Sequence, residues 1–99
     1  MKEDQTEFII CAAIYWDDGK EYCHMAKNIK TGIVICGRRH HNCFSILSSL
    51  GKSRLDFKET QGFMTSKDRF LNRYDAAEIA FKAKQTSERR SVLYSEDLY

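Results

Sequence analysis

Residues 35–44, Ile-Cys-Gly-Arg-Arg-His-His-Asn-Cys-Phe, place four cationic or titratable side chains without a break between an apolar run and an apolar helical pattern. Each Arg offers a planar fork of donors suited to phosphate, and an adjacent pair can hold a diphosphate. The position adds to this. A helix start leaves backbone N–H groups unpaired and carries the positive end of the helix dipole. The first chemistry to expect of Arg38, Arg39, His40 and His41 is therefore the grip of an anion. The plainer alternative is a solvated pair on a surface turn, or one that partners Asp17, Asp18 or Asp56.

His40, His41 and Cys43 carry two sharper readings. Cys36, either His and Cys43 have the donor types of a zinc site, but their spacing fits no standard zinc pattern and two arginines would repel the ion. His40 and Cys43 lie three apart, on one helical face, so a His base could activate a Cys nucleophile. Cys43 is also the first position of an apolar stripe, which makes a core thiol the simpler reading. A further group follows in Gln61-Gly62-Phe63 and Arg69-Phe70-Leu71-Asn72-Arg73. Phe63 offers a flat face to a nucleobase, and Arg69 and Arg73 add cationic donors. Against this, Phe63 and Phe70 suit a hairpin core, and Asn72 suits a helix cap, which would use its carbonyl and leave its amide NH₂.

The chain lacks paired carboxylates for acid–base work. It has no G-x-x-x-x-G-K-[ST] or G-x-G-x-x-G loop for a cofactor phosphate and no Ser in an elbow motif. It holds the parts for gripping an anionic, base-containing ligand and few for turning it over.

The elements that must position these residues are legible in outline. Glu7 to Trp16 reads as a strand, Asp17-Asp18-Gly19-Lys20 as a hairpin turn, and Glu21 to Met25 as a returning strand. Lys27 to Gly32 is a polar loop before a buried-type strand, Ile33 to Cys36. Cys43, Phe44, Leu47 and Leu50 give His40 to Leu50 a helical face, and Gly51 is a stop. After a charged connection over 52–60, Gly62 to Thr65 and Arg69 to Leu71 form a hairpin around Ser66-Lys67-Asp68. Asn72 caps a helix that runs to about Gln85. The tail over 86–99 is polar until Leu93, Leu98 and Tyr99, which anchor it to the domain or to a second subunit. The expected fold is one α+β domain, a small antiparallel sheet built from hairpins and packed against two helices.

Ninety-nine residues make one domain with a small core, and 42% hydrophobic with 30% charged residues excludes a disordered or membrane-embedded chain. The acidic start lacks a signal peptide's apolar stretch, so a cytoplasmic protein is expected. The net charge of +2 is too small for a long nucleic-acid track. It is unevenly spread. Residues 38–58 hold five Lys/Arg against one Asp, whereas residues 1–37 hold four Lys against six Asp/Glu. The four cysteines include no C-x-x-C pair, and buried free thiols are the expected state.

The order Gly-x-Arg-His-x-x-Cys (Gly37, Arg39, His40 or His41, Cys43), Gln-Gly-Phe (61–63), Arg-Phe-x-x-Arg (Arg69, Phe70, Arg73), Glu78-Ile79-Ala80 and the terminal Leu-Tyr-Ser-Glu-Asp-Leu-Tyr (93–99) resembles a group of small phage proteins. That group is associated with the Thoeris anti-defence sponges, which sequester the cyclic ADP-ribose isomers that bacterial TIR-domain enzymes make as immune signals. The resemblance covers most of residues 8–99. It implies an α+β domain that forms homo-oligomers and has no catalytic activity, with Arg on the diphosphate and an aromatic against the adenine. Arg38, Arg39, Phe63, Asn72 and Arg73 are the positions that match those roles. The doubled Arg-Arg-His-His leaves open which Arg and which His correspond, and cyclic oligonucleotides remain a second ligand class. The runner-up readings are a phosphoester-cleaving enzyme using His40 or His41, with or without a metal, and a nucleic-acid- or protein-binding module.

Overall fold

The computed structural model describes residues 6–23, 25–51 and 59–98. Strand β1 (Ile9–Trp16), β2 (Ile33–Gly37), β3 (Glu59–Thr65) and β4 (Phe70–Asn72) form one antiparallel sheet in the order β2-β1-β3-β4. Helix α1 (His40–Ser49) follows β2 and helix α2 (Arg73–Lys82) follows β4, giving the expected α+β architecture.

The period-two alternation of β1 sorts its side chains between two cores. Ala12, Ile14 and Trp16 face the helices. Ala12 joins Phe63, Leu71, Leu93 and the alanines Ala76, Ala77 and Ala80 of α2. Ile14 and Trp16 join Ile33, Ile35 and the Cys43 and Leu47 side chains of α1. The alanine face lets α2 lie close to the sheet, while the longer residues of α1 fill a wider gap. On the other sheet face, Ala13 and Phe70 pack with Ala26, flanked by Tyr15, Ile29, Val34 and Met64.

That second face corrects the strand expected over Glu21–Met25. No described residue of that stretch is in a strand, and His24 lies outside the described residues. Ile33–Gly37 takes the place beside β1 instead, from Ala12↔Gly37 to Trp16↔Ile33. Its β-branched run fits a half-buried ladder better than Glu-Tyr-Cys-His-Met does. The expected hairpin turn at Asp17–Lys20 is instead a bend at Gly19, whose N–H donates to Asp17 Oδ1 at 2.9 Å. The chain then crosses the sheet face and returns at Gly32, whose φ is 90° and where a Cβ would come within 2.7 Å of the Asp17 Cα. Only Gly closes that return.

The hairpin and second helix match their sequence signals. Thr65 N–H donates to Arg69 O at 2.9 Å across the Ser66–Asp68 turn. The Asn72 Oδ1 accepts from Tyr74 N–H at 3.0 Å and Asp75 N–H at 2.8 Å, capping α2. The helix ends earlier than expected because Lys84 adopts φ 62°, with Lys84 N–H on Phe81 O and Gln85 N–H on Ala80 O. This is a left-handed helix stop made without Gly. It frees Gln85 to exchange two hydrogen bonds with Ile9, its Oε1 on the Ile9 N–H at 2.7 Å and its Nε2 on the Ile9 O at 2.8 Å. Asn28 does the same for Phe70, at 2.8 and 2.6 Å. Two amide side chains thus satisfy backbone groups that no strand pairs. The charged connection after Gly51 and the anchor Tyr99 lie outside the described residues through 52–58 and 99.

Gly62 fixes the β3–β4 pairing. A Cβ there would lie 2.0 Å from Leu71 O and 2.8 Å from the Phe70 ring. We expect Gly62→Ala to cost at least about 3 kcal/mol, the upper range of overpacking, because a backbone oxygen cannot rotate away. Urea unfolding of the variant beside wild type measures it, and a loss within 0.5 kcal/mol of zero, roughly the range of a neutral surface change, contradicts the contact.

A second test concerns Glu7. Its carboxylate takes Arg69 Nε at 2.9 Å and Nη2 at 2.8 Å, and also the Thr65 hydroxyl. The Arg69 hydrogen bonds hold the Glu7 pKa down, from 4.5 to about 2, against the opposing effect of burial. A lowered carboxylate pKa adds stability that is full above 4.5 and is lost as pH falls through about 2. Unfolding free energy should therefore fall with acid across that window, and Glu7→Gln should flatten the slope there.

Candidate functional site

The residues singled out by sequence do not form one pocket. The structure divides them among a cationic corner, a buried hinge and an open cleft.

The corner is the junction of β2 and α1. Arg38 and His41 are exposed there, and Arg39 is the N-cap residue of α1 in extended conformation. The Arg39 N–H donates to the Asn42 side chain at 3.0 Å, so Asn42 supplies the return bond of a capping box. The Arg39 guanidinium donates through Nη1 to Ser95 Oγ at 3.1 Å, which ties the corner to the tail.

The hinge is His40. It is 8% exposed, and its Nε2 lies 2.8 Å from Gly62 O, so that nitrogen carries the proton and donates. The ring meets Phe63 edge-on, with centroids 5.1 Å apart. Burial pushes the His40 pKa down, the Gly62 carbonyl opposes this, the Arg73 charge adds to it, and Glu96 opposes it again. His40 is thus a neutral donor joining α1 to β3. Phe63 has 0% exposure, so the flat face expected of it is covered by the core and by His40.

The cleft, about 450 Å³, opens beside the hinge and is lined by Glu59, Thr60, Gln61, Asn72, Arg73 and Tyr74. Arg73 donates through Nη1 to Leu93 O at 2.8 Å and through Nη2 to Gln61 Oε1, and its guanidinium lies 4.8 Å from the Tyr94 ring centroid. Burial lowers the Arg73 pKa, and Tyr94 and Glu96 partly restore it. The Leu93 N–H returns a bond to Arg73 O at 3.1 Å, and Leu93 is fully buried in the α2 core. The tail thus docks on its own domain, through Leu93, Arg73 and Arg39, with Leu98 packed against the same core.

Of the predicted residues, Arg39, His40, Phe63, Asn72 and Arg73 come together through these contacts. Arg69 does not. Its fork is occupied by Glu7, and it lines a separate, smaller cleft with Leu71, Asp75, Glu78 and Ile79. Two aromatics escaped the sequence reading. Tyr74 on the cleft wall is 67% exposed and Tyr94 under Arg73 is 51% exposed. Both stand beside residues already singled out, Arg73 and the terminal Leu-Tyr-Ser-Glu motif, and that adjacency was the available signal. The cysteines also depart from expectation. Cys43 is buried, with burial raising its pKa to about 11, whereas Cys23 and Cys36 are exposed and Cys11 is half-buried. Among the described residues, no three His, Cys, Asp or Glu side chains are grouped to hold a metal ion. Nor is any helix among them long and apolar enough to cross a membrane.

No curated protein and no solved structure matches the chain. A family model described as the phage T4 y16D protein does match, over residues 8–99, a span that holds every element and every candidate site residue described above. The chain is therefore a small phage protein and belongs to the phage T4 y16D protein family.

Proposed function

We propose that this protein binds and sequesters an anionic nucleotide-type signal, a cyclic ADP-ribose isomer or a cyclic oligonucleotide, without cleaving it, and so blunts bacterial anti-phage defence of the Thoeris kind. The observation that carries the reading is the continuity between corner and cleft. Arg39 reaches Ser95, Tyr94 lies beside Ser95 in the chain and under Arg73, and Arg73 lines the cleft with Asn72 and Tyr74. Arg38, Arg39 and His41 at the α1 start are the phosphate end of this arrangement. Tyr74 and Tyr94 replace Phe63 as the aromatic surface for a base. His40 supports binding over catalysis because its proton is spent on Gly62 O and its ring on Phe63. Homo-oligomerisation in the cytoplasm of the infected host belongs to the same reading, and it has no role for a cofactor, a membrane or a long nucleic acid.

The test is incubation of the purified chain with cyclic ADP-ribose isomers, followed by denaturation and assay of the supernatant. Sequestration predicts intact ligand that returns only after denaturation. Degraded product instead selects a phosphoester-cleaving enzyme, and no depletion of any isomer or cyclic oligonucleotide sinks the proposal. Calorimetry on an Arg38→Ala, Arg39→Ala double variant should show binding weakened at least about tenfold, the scale of one lost charge-assisted hydrogen bond. Its circular dichroism should stay unchanged. Light scattering with and without ligand reads the oligomer.

A further inference from the structure

Two of the four thiols are neighbours. The β1–β2 ladder ends with Ala13↔Cys36 and Ala12↔Gly37. Cys36 therefore shares a sheet face with Ala13, and Cys11, two residues before Ala13, shares that face and sits diagonally from Cys36. At this spacing the two thiols interact electrostatically, and the Gly37 backbone, paired with Ala12, adds to the field at Cys11. Cys36 is exposed and Cys11 is half-buried, so a small solute can reach the pair. Cys43, the third thiol nearby, is closed into the α1 core.

We propose that Cys11 and Cys36 are an oxidisable dithiol, a modification site at which a peroxide turns the two thiols into a reversible disulfide across the end of the β1–β2 ladder. The step balances. The Cys11 thiolate attacks the peroxide O–O bond, forming a sulfenic acid and releasing water once the leaving oxygen is protonated. The Cys36 sulfur then displaces the hydroxyl of that sulfenic acid, closing the S–S bond and releasing a second water. Two thiols are oxidised and one peroxide is reduced.

The roles of the two sulfurs differ for a physical reason. The neighbouring Cys36 thiol and the Gly37 backbone favour the Cys11 thiolate and lower its pKa, while Cys11 and burial raise that of Cys36. Cys11 is thus the attacking sulfur and Cys36 the resolving one. Geometry also decides the kind of disulfide. Diagonal positions on paired strands lie about 7–8 Å apart at Cα, just beyond the roughly 7 Å that a relaxed disulfide spans. Only the ladder's last pairs hold this end, so closure draws β2 toward β1 and leaves a strained, easily reduced bond. This inference stands apart from the ligand reading, which uses neither cysteine.

The experiment treats the full chain with hydrogen peroxide, blocks the remaining thiols in denaturant with N-ethylmaleimide, and digests with trypsin. Lys20, Lys27, Lys30 and Arg38 put the four cysteines on four separate peptides. The expected result is an intact mass lower by two hydrogens, blockable thiols falling from four to two, and one cross-linked species joining the Cys11 and Cys36 peptides. Excess reduced glutathione should return all four thiols. Cys23→Ser should behave as wild type. Cys36→Ser, a change at an exposed position, should stop at a Cys11 sulfenic acid that dimedone captures. A cross-link through Cys23, separate oxidation of Cys11 and Cys36, four thiols left intact in excess peroxide, or a bond that glutathione does not open would each overturn the proposal.

Discussion

The backbone of Gly62 is the point on which the domain turns. β4 comes so near that Leu71 O occupies the space of a Cβ, and α1 is fastened to the same residue through His40 and the Gly62 carbonyl. Its two neighbours carry the rest. Phe63 is fully buried against the alanines of α2 and meets His40 of α1 edge-on, and Gln61 anchors Arg73, which in turn holds the tail. The cationic corner and the cleft therefore have a common fixed reference in one strand. A peptide group serves this purpose well because it cannot change rotamer, so errors in the placement of α1 and α2 do not accumulate through long side chains.

The order of elements could be read from the chain because each carries a local signal. The Ile-Val-Ile run, the three- and four-residue spacing from Cys43 to Leu47, the Ser66–Asp68 turn and the Asn72 cap all act within a few residues, and all appear where they were expected. What could not be read is who meets whom. The choice of β2 over Glu21–Met25 as partner for β1 is a competition between two distant segments for one edge. Phe63 beside a Gly looked available to a ligand, yet burial is decided by α1 and α2, both remote in sequence. Arg69 looked like a free cation because its partner, Glu7, opens the segment read as the first strand, 62 residues away. Arg73 was singled out for a ligand and has a structural duty as well. The family match places the chain among phage proteins.

The sheet's use of amide side chains explains how so small a domain protects its backbone. β4 has three residues, and β1 runs past the end of β2 at Ile9. Asn28 and Gln85 each present a carbonyl and an NH₂ in the spacing of a peptide group and cover those two exposed stretches. Further strand pairing at these two places would have needed several more residues to do the same. The cost is conformational: each amide must be held in one rotamer, which the Lys84 stop does for Gln85 by setting the direction in which the chain leaves α2.

These closures are also long in sequence. Ile9 meets Gln85 across 76 positions, Glu7 meets Arg69 across 62, and Arg39 meets Ser95 across 56. β1, the first of the four strands in chain order, therefore finds the Gln85 side chain only once the sequence through α2 exists. Contacts of such separation slow folding, because loop-closure entropy is spent before the contact repays it. Before β2 and β3 pair with it, the apolar run Phe8–Trp16 is a strand with two open edges, a surface that invites other chains. The docking of the tail is the closure that spans from α1 to Ser95 and locks strands that have already paired.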